Sequence, residues 1–564
     1  MSDVEFTSTA NGAVALKSTG DTIVDFFMLF SRTISQENID TYMDLCWNIN
    51  PIKTVAIIFN GRDRKSGKKE KTISNKGMIW LRNNKPLTYK GNIFKYIEKY
   101  GCWKDIMYIN FNVDKRDFLK NMKYIAPNYE LNVIAEQLKK DKVLLDNDNC
   151  VSLCAKWAPS ENDKYDRRKK SALKIAELIF PNENKKMEKY RKEYLTPLRK
   201  KIKIVETLMC DNRWTDINYE EVPAIASNRL KKAFMKHDPE GYGKFLSDVK
   251  NGEKSIKVTG ILPHELVKYY LEQITNYYRT DCLIDEVNET IEMQWKTLVN
   301  EVKQSGVFDG LLAIVDVSGS MFSASNGSVP AQVAIALGLL ISECSSGNFH
   351  NKIITFSNDP VLHTVVGETL CDKINNVRRL DAGTSTNFEA TSDLIIKYGK
   401  DNNISQENMP KKLVCLTDMQ FNQANIGDKY TAGYRSYNEY LNNNISNRIE
   451  TLHRKIIKKY EQNNYKAPAF IYWNLSSDTK EIFPVSSSEE GTAVISGFSE
   501  QLLKVFMKYD NFTPLFIVDE ILAPYMLEVF IDKSENSQKN KNNDENPISS
   551  TIASMFERSL SFTT

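Results

Sequence analysis

The chain reads as an N-terminal all-α, helical-repeat-like region followed by a doubly wound, mainly parallel α/β domain. Two textures predict this. Over residues 21–304 apolar side chains recur three and four apart between prolines such as Pro51, Pro86, Pro181, Pro223 and Pro263, the pattern of amphipathic helices punctuated by turns. From residue 305 short apolar runs alternate with helix-like stretches, the order expected of parallel strands joined by crossover helices.

In chain order, residues 1–20 are expected to be flexible. Helices are predicted at Asp25–Phe30 and Ile39–Trp47, the second closed by Pro51. The same spacing continues through Ile79–Leu81, Ile93–Ile97, Trp103–Ile109, Ala172–Ile179, Leu195–Met209 and Leu266–Tyr278. No strict repeat period runs through these segments, so irregularly stacked helices are expected rather than a regular solenoid. The α/β domain is assigned to residues 305–531. Its strands are Leu311–Val317, Lys352–Phe356, Leu413–Leu416 and Ala469–Trp473. Its helices are Pro330–Ser342, with proline in the first turn, Phe388–Tyr398 and Glu500–Tyr509. A polar insertion covers 422–447. Residues 532–547 are a low-complexity linker expected to be disordered, and 548–564 form a terminal segment with a short helix over Ile548–Phe562.

Composition narrows the class. At 564 residues the chain exceeds one ordinary core, and 41% hydrophobic with 26% charged residues is a globular balance. No apolar run approaches the ~20 residues a bilayer requires, and Met-Ser-Asp-Val-Glu-Phe is no secretory signal, so no membrane partner and an intracellular, reducing location are expected. The nine scattered cysteines read as reduced thiols, and five dispersed histidines argue against a zinc site.

The most informative run is Leu311-Leu-Ala-Ile-Val-Asp316-Val-Ser318-Gly-Ser320. An apolar strand ends in a carboxylate, and two hydroxyls follow at alternate positions. Such hard oxygen donors suit Mg²⁺ or Mn²⁺. Two other segments supply matching chemistry: Leu413-Val-Cys-Leu-Thr417-Asp418, another apolar strand ending in a carboxylate, and the hydroxyl-rich turn Ala382-Gly383-Thr384-Ser385-Thr386-Asn387. Ligands of open parallel sheets bind beyond the carboxyl ends of the strands, so Asp316, Ser318, Ser320, Thr386 and Asp418 form a candidate metal-ligand set. Each also has a plain structural role available, as a cap or a turn residue.

These segments resemble the von Willebrand factor A domains, whose metal-ion-dependent adhesion site combines Asp-x-Ser-x-Ser, a later threonine and an aspartate after another strand. The resemblance implies that the five residues hold an ion directly or through water and leave one position open to an acidic group of a protein partner. Thr384 or Ser385 could take the place of Thr386, and Met419 stands where glycine is common in the family. A helical region joined to an A domain is also similar to the architecture of the Ro autoantigen, whose relatives bind RNA on a basic helical surface. Asn50-Pro51 with Ile58-Phe59-Asn60-Gly-Arg62, Tyr100-Gly-Cys-Trp103-Lys104-Asp105, Tyr194-Leu-Thr-Pro197-Leu-Arg199 and Leu262-Pro-His264-Glu265-Leu-Val267 resemble an uncharacterised family of plants, fungi and giant viruses.

A net charge of +3 conceals an asymmetry. Residues 1–300 carry 51 basic against 41 acidic side chains, which leaves the remainder acidic. Within 164–203 the ratio is 15 to 5, centred on Arg167, Arg168, Lys169, Lys170, Arg199, Lys200 and Lys201. A second cluster holds Arg62, Arg64, Lys68 and Lys69 in an expected loop. These residues are candidate phosphate contacts for RNA, although lysine-rich helices also have solvated faces that bind nothing. Trp80, Trp103, Trp157 and Trp214 read as core residues in preference to stacking platforms for bases. No Gly-x-x-x-x-Gly-Lys-Ser/Thr cradle or Gly-x-Ser-x-Gly elbow occurs, and no histidine pairs with a serine in the pattern, so a non-catalytic binding role is expected. The resemblance to Ro makes RNA or ribonucleoprotein binding the leading expectation, and a metal-dependent protein-interaction scaffold without nucleic acid is the alternative.

Overall fold

A computed structural model describes residues 6–8, 14–31, 36–112, 128–202, 204–273, 286–304, 310–317, 319–322, 330–355, 360–378, 388–419, 456–475 and 483–535, together with Ile34, Tyr124, Ile125, Ile284 and Phe308. The predicted fold class holds: a helical N-terminal region leads into a mainly parallel sheet.

The main helices of the first region are α1 Thr22–Leu29, α2 Gln36–Ile49, α3 Pro51–Arg62, α4 Lys71–Asn84, α5 Pro86–Lys95, α6 Trp103–Asn112, α7 Tyr129–Asp146, α8 Ser171–Ile179, α9 Ala224–His237, α10 Pro239–Lys250, α11 Pro263–Leu271 and α12 Glu289–Gln304. Local chemistry sets their starts. Asn50 caps α3 by accepting from Lys53 N–H at 2.9 Å with Pro51 in the first turn, and Asp21 caps α1 by accepting from Val24 N–H at 2.9 Å. The helix predicted across Leu195–Met209 is two, Thr196–Ile202 and Val205–Cys210. The helices α3, α7, α9, α10 and α12 were not anticipated.

The α/β unit has β3 Leu311–Val315, β4 Lys352–Thr355, β5 Leu362–Thr364, β6 Lys412–Thr417, β7 Ala469–Asn474 and β8 Thr492–Ser496, after a small hairpin of β1 Phe6–Ser8 and β2 Val14–Leu16. The sheet order is β5-β4-β3-β6-β7-β8, all parallel except β5. Helices α13 Pro330–Cys344, α14 Leu370–Val377, α15 Phe388–Asp401 and α16 Pro514–Met526 accompany it. Alternate residues of the strands enter two cores: Ala313, Val315, Val414, Leu416 and Ile471 join α11, α12 and α13, whereas Leu312, Ile314, Leu413, Cys415 and Phe470 join α15. Burial on both faces explains why these strands read as continuous apolar runs. Gly338 on α13 sits so close to β3 that a Cβ there would stand 2.5 Å from Val315 Cγ2. The predicted helix Glu500–Tyr509 is a 3₁₀ run, Glu500–Met507, and β5 and β8 are additions to the sequence reading.

Two expectations of disorder need correction. Within 1–20, Ala15 and Leu16 are buried, and Leu16 exchanges both backbone hydrogen bonds with Phe483 at 2.9 Å. At the start of the 532–547 linker, the Glu535 carboxylate accepts from Leu87 N–H at 2.8 Å and Thr88 N–H at 2.9 Å, the free donors at the N-terminus of α5. The polar insertion 422–447 and the helix expected over Ile548–Phe562 lie outside the described residues.

Candidate metal centre and basic surfaces

Strand order places the first site. The connection from β3 runs to β4 on one side, while β6 lies on the other, so the carboxyl ends of β3 and β6 flank the point where strand order reverses. Such a point opens a crevice for ligands. Val315 pairs with Leu416, which puts Asp316 opposite Thr417 and Asp418 one residue beyond. Asp316 is 1% exposed and Asp418 6%. The backbone N–H of Asp316 donates to Leu416 O at 3.0 Å, continuing the ladder past the strand. Thr417 Oγ1 donates to Asp316 Oδ2 at 2.8 Å, which fixes one carboxylate oxygen, and Met419 N–H donates to Thr417 Oγ1 at 3.2 Å. Met419 has φ +64° and a buried side chain, so the turn after Asp418 is held in a left-handed conformation that a non-glycine residue adopts at a cost of ~1 kcal/mol or more.

The register therefore places Asp316 and Asp418 at the ends of adjacent strands. Ser320 lies on the short turn Gly319–Phe322, next along the chain from Asp316, and Ser318 and Thr386 lie outside the described residues. Thr417, absent from the predicted ligand set, holds Asp316 in place; its one sequence signal is a hydroxyl directly before Asp418 in an otherwise apolar strand. Among the described residues no group of three or more His, Cys, Asp or Glu side chains could hold a metal. A set of two carboxylates and several hydroxyls would not form such a group.

The basic clusters divide differently. Arg62, at the end of α3, is 4% exposed and donates to Asp105 Oδ2 through Nε at 2.8 Å. Lys68 is fully buried: its amine donates to Phe27 O, to Phe30 O at 3.3 Å and to Ser496 Oγ at 2.9 Å, 3.9 Å above the Phe27 ring. Burial pushes the Lys68 ammonium down to about 7, with Glu70 opposing. Lys69 pairs with Glu500 at 3.0 Å. Three of the four predicted phosphate contacts in this cluster are thus withdrawn from solvent, and the expected exposed loop is instead a seam between the helices and the α/β unit. Lys53 with Asp519 at 2.6 Å and Tyr525 with Asp63 at 2.8 Å extend that seam. Arg64 is exposed.

In the second cluster Arg199 is committed to structure, donating to Ala155 O at 2.9 Å, Ala158 O at 2.8 Å and Ser160 Oγ at 2.9 Å. Lys201 pairs with Asp148, and Lys169 donates to Asn110 O at 2.6 Å. Arg167, Arg168, Lys170 and Lys200 are exposed.

The comparisons with known proteins follow the same division of the chain. Residues 9–130 and 131–308 match the family described as a domain of unknown function, DUF2828. The chain belongs to this family. Residues 310–554 of this DUF2828 protein match a second domain of unknown function, DUF7788. The uncharacterized protein L728 of Acanthamoeba polyphaga mimivirus is 31% identical over 573 aligned positions, covering 96% of this chain and 93% of L728. The expected giant-virus relative therefore exists. The solved Ro (RSR) protein of Deinococcus radiodurans is similar over 90% of the DUF2828 chain and 100% of its own, with 10% identity and a TM-score of 0.29, a superposition too loose to place individual residues. No helix among the described residues is long and apolar enough to cross a membrane.

Proposed function

We propose that this DUF2828 protein is a non-catalytic binding protein whose α/β unit holds one divalent cation, Mg²⁺ or Mn²⁺, at the carboxyl ends of β3 and β6. The observation that supports this reading is the placement of buried Asp316 and Asp418 at the ends of adjacent strands where strand order reverses, with Thr417 fixing an oxygen of Asp316. The donors are hard oxygens, and Ser318, Ser320 and Thr386 would add hydroxyls. A remaining open position would accept an acidic oxygen, most simply a carboxylate of a protein ligand. Two carboxylates around one ion suit holding rather than phosphodiester cleavage, which commonly uses two ions. Binding of Mn²⁺ to the wild type and its loss in Asp316→Ala tests the site. Partner capture that survives both EDTA and Asp316→Ala would sink its role in binding.

RNA or ribonucleoprotein binding by the helical region is a second reading, favoured by the cations that packing leaves outside: Arg64, Arg167, Arg168, Lys170 and Lys200. Phosphate neutralisation makes such binding fall steeply with salt. RNA crosslinking at two salt concentrations checks it, and an absence of crosslinks at the lower one rejects it.

A further inference from the structure

The face formed by α6 and residues 154–169 carries a pattern that the sequence reading set aside, because it preferred a core role for Trp157 to a stacking one. Trp157 is only half-buried, resting against the helical core with two ammonium groups over its ring, Lys104 at 4.8 Å and Lys156 at 5.8 Å from the centroid. Beside it Lys164 lies 5.9 Å from the Tyr165 ring. Tyr165 meets Phe111 edge to face at 5.9 Å, and Arg168 sits 5.7 Å from Phe111. The cations belong to one patch: burial, then Lys71 and Lys164, push the Lys104 ammonium down.

The neighbouring carboxylates are mostly occupied elsewhere. Asp105 accepts from Arg62, Asn75 and the Cys102 N–H. Asp163 accepts from the N–H groups of Ser160, Tyr165 and Asp166, and Asp166 from those of Asn162 and Ala172. Lys71 approaches Asp105 at 3.6 Å and Lys156 approaches Glu206 at 3.8 Å. Among the described residues Lys104, Lys164 and Arg168 form no ion pair.

We infer that this face is a single-stranded nucleic-acid platform, in which Trp157 and Tyr165 stack unpaired bases while Lys104, Lys156, Lys164 and Arg168 neutralise the flanking phosphates. Alternation of rings and cations is what an unpaired strand requires, since every base has a stackable face and every linkage a charge. A duplex hides its base faces and has no use for the rings. The inference rests on the nucleic-acid reading of the helical region and gives it a location and a strand type.

The test uses the full chain with labelled oligouridine and oligothymidine, an abasic strand of equal length and a duplex competitor. Trp157→Ala should weaken binding of both single strands about ten-fold at fixed salt without changing the salt slope. Trp157→Phe should restore most of the loss. Lys104→Ala with Lys164→Ala should reduce the slope of log K against log salt by about 1.4, at ~0.7 per lost phosphate contact. The abasic strand, which offers nothing to Trp157 or Tyr165, should bind the wild type more weakly than oligouridine binds Trp157→Ala. Equal affinity for abasic and base-bearing strands, failure of Trp157→Phe to rescue, or preference for the duplex would each overturn the platform. If no nucleic acid binds the wild type at low salt, the broader RNA reading falls with it. If RNA binds with a steep slope that neither variant alters, only the platform fails.

Discussion

The strand ends at 316 and 418 and the basic segment 62–69 are both clusters of charge at the ends of apolar runs, yet the fold treats them in opposite ways. At the strand ends the two carboxylates stand at the reversal of strand order, the place where open parallel sheets bind ligands, with Asp316 1% and Asp418 6% exposed. At 62–69 three cations are buried and matched, Arg62 by Asp105 within the helical region, and, at the seam with the α/β unit, Lys69 by Glu500 and Lys68 by two carbonyls and a hydroxyl. A charge becomes structural where a distant element closes over it and supplies its partner, whatever the local sequence around it.

The largest effect should come from Arg62→Ala, which leaves Asp105 buried without its main counter-charge at a cost of ~3–5 kcal/mol. Urea unfolding measures it, and a loss under ~1 kcal/mol would mean that the pair behaves as an exposed ion pair and not as a buried one. The next concerns Lys68. Because burial lowers its folded pKa to about 7, the unfolded chain holds the extra proton more readily above that pH. Stability should therefore rise as pH increases from about 7 toward the ordinary lysine value near 10.4, by ~1.4 kcal/mol per unit of difference at most. Lys68→Met should flatten that rise in unfolding midpoints taken between pH 6.5 and 10, whereas an unchanged slope would assign it to other groups.

At the strand ends Thr417→Val should lower divalent-cation affinity by ~10–100-fold, the range for outer-shell partners of metal ligands. Mn²⁺ titration reads this directly, and unchanged affinity would leave Thr417 as a packing residue only. The smallest effects belong to the exposed cations: Arg64→Ala and Lys200→Ala should each move stability by no more than ~0.5 kcal/mol. If either unfolds the protein, the contrast between buried seam and open surface has been drawn in the wrong place.

Periodicity made the fold class and the central strands legible, because strands buried on both faces announce themselves as apolar runs. Asp316 and Asp418 were legible as carboxylates ending such runs. Thr417 was not, since a single threonine at a strand end is uninformative until the register sets it opposite Asp316. The strand β5 was missed because its three residues carry no period, and α16, of 13 residues, because apolar side chains lie almost all round it.

By itself the amino-acid sequence determined which segments could be helix or strand, and that hard oxygen donors would gather at strand ends, because both depend on local residue chemistry and spacing. Only the tertiary structure decided which charges remain available. Lys68 and Arg64 are four positions apart, and nothing local distinguishes a lysine that ends against Ser496 from an arginine that stays in water. That choice depends on which distant element packs over the loop, a property of the assembled chain.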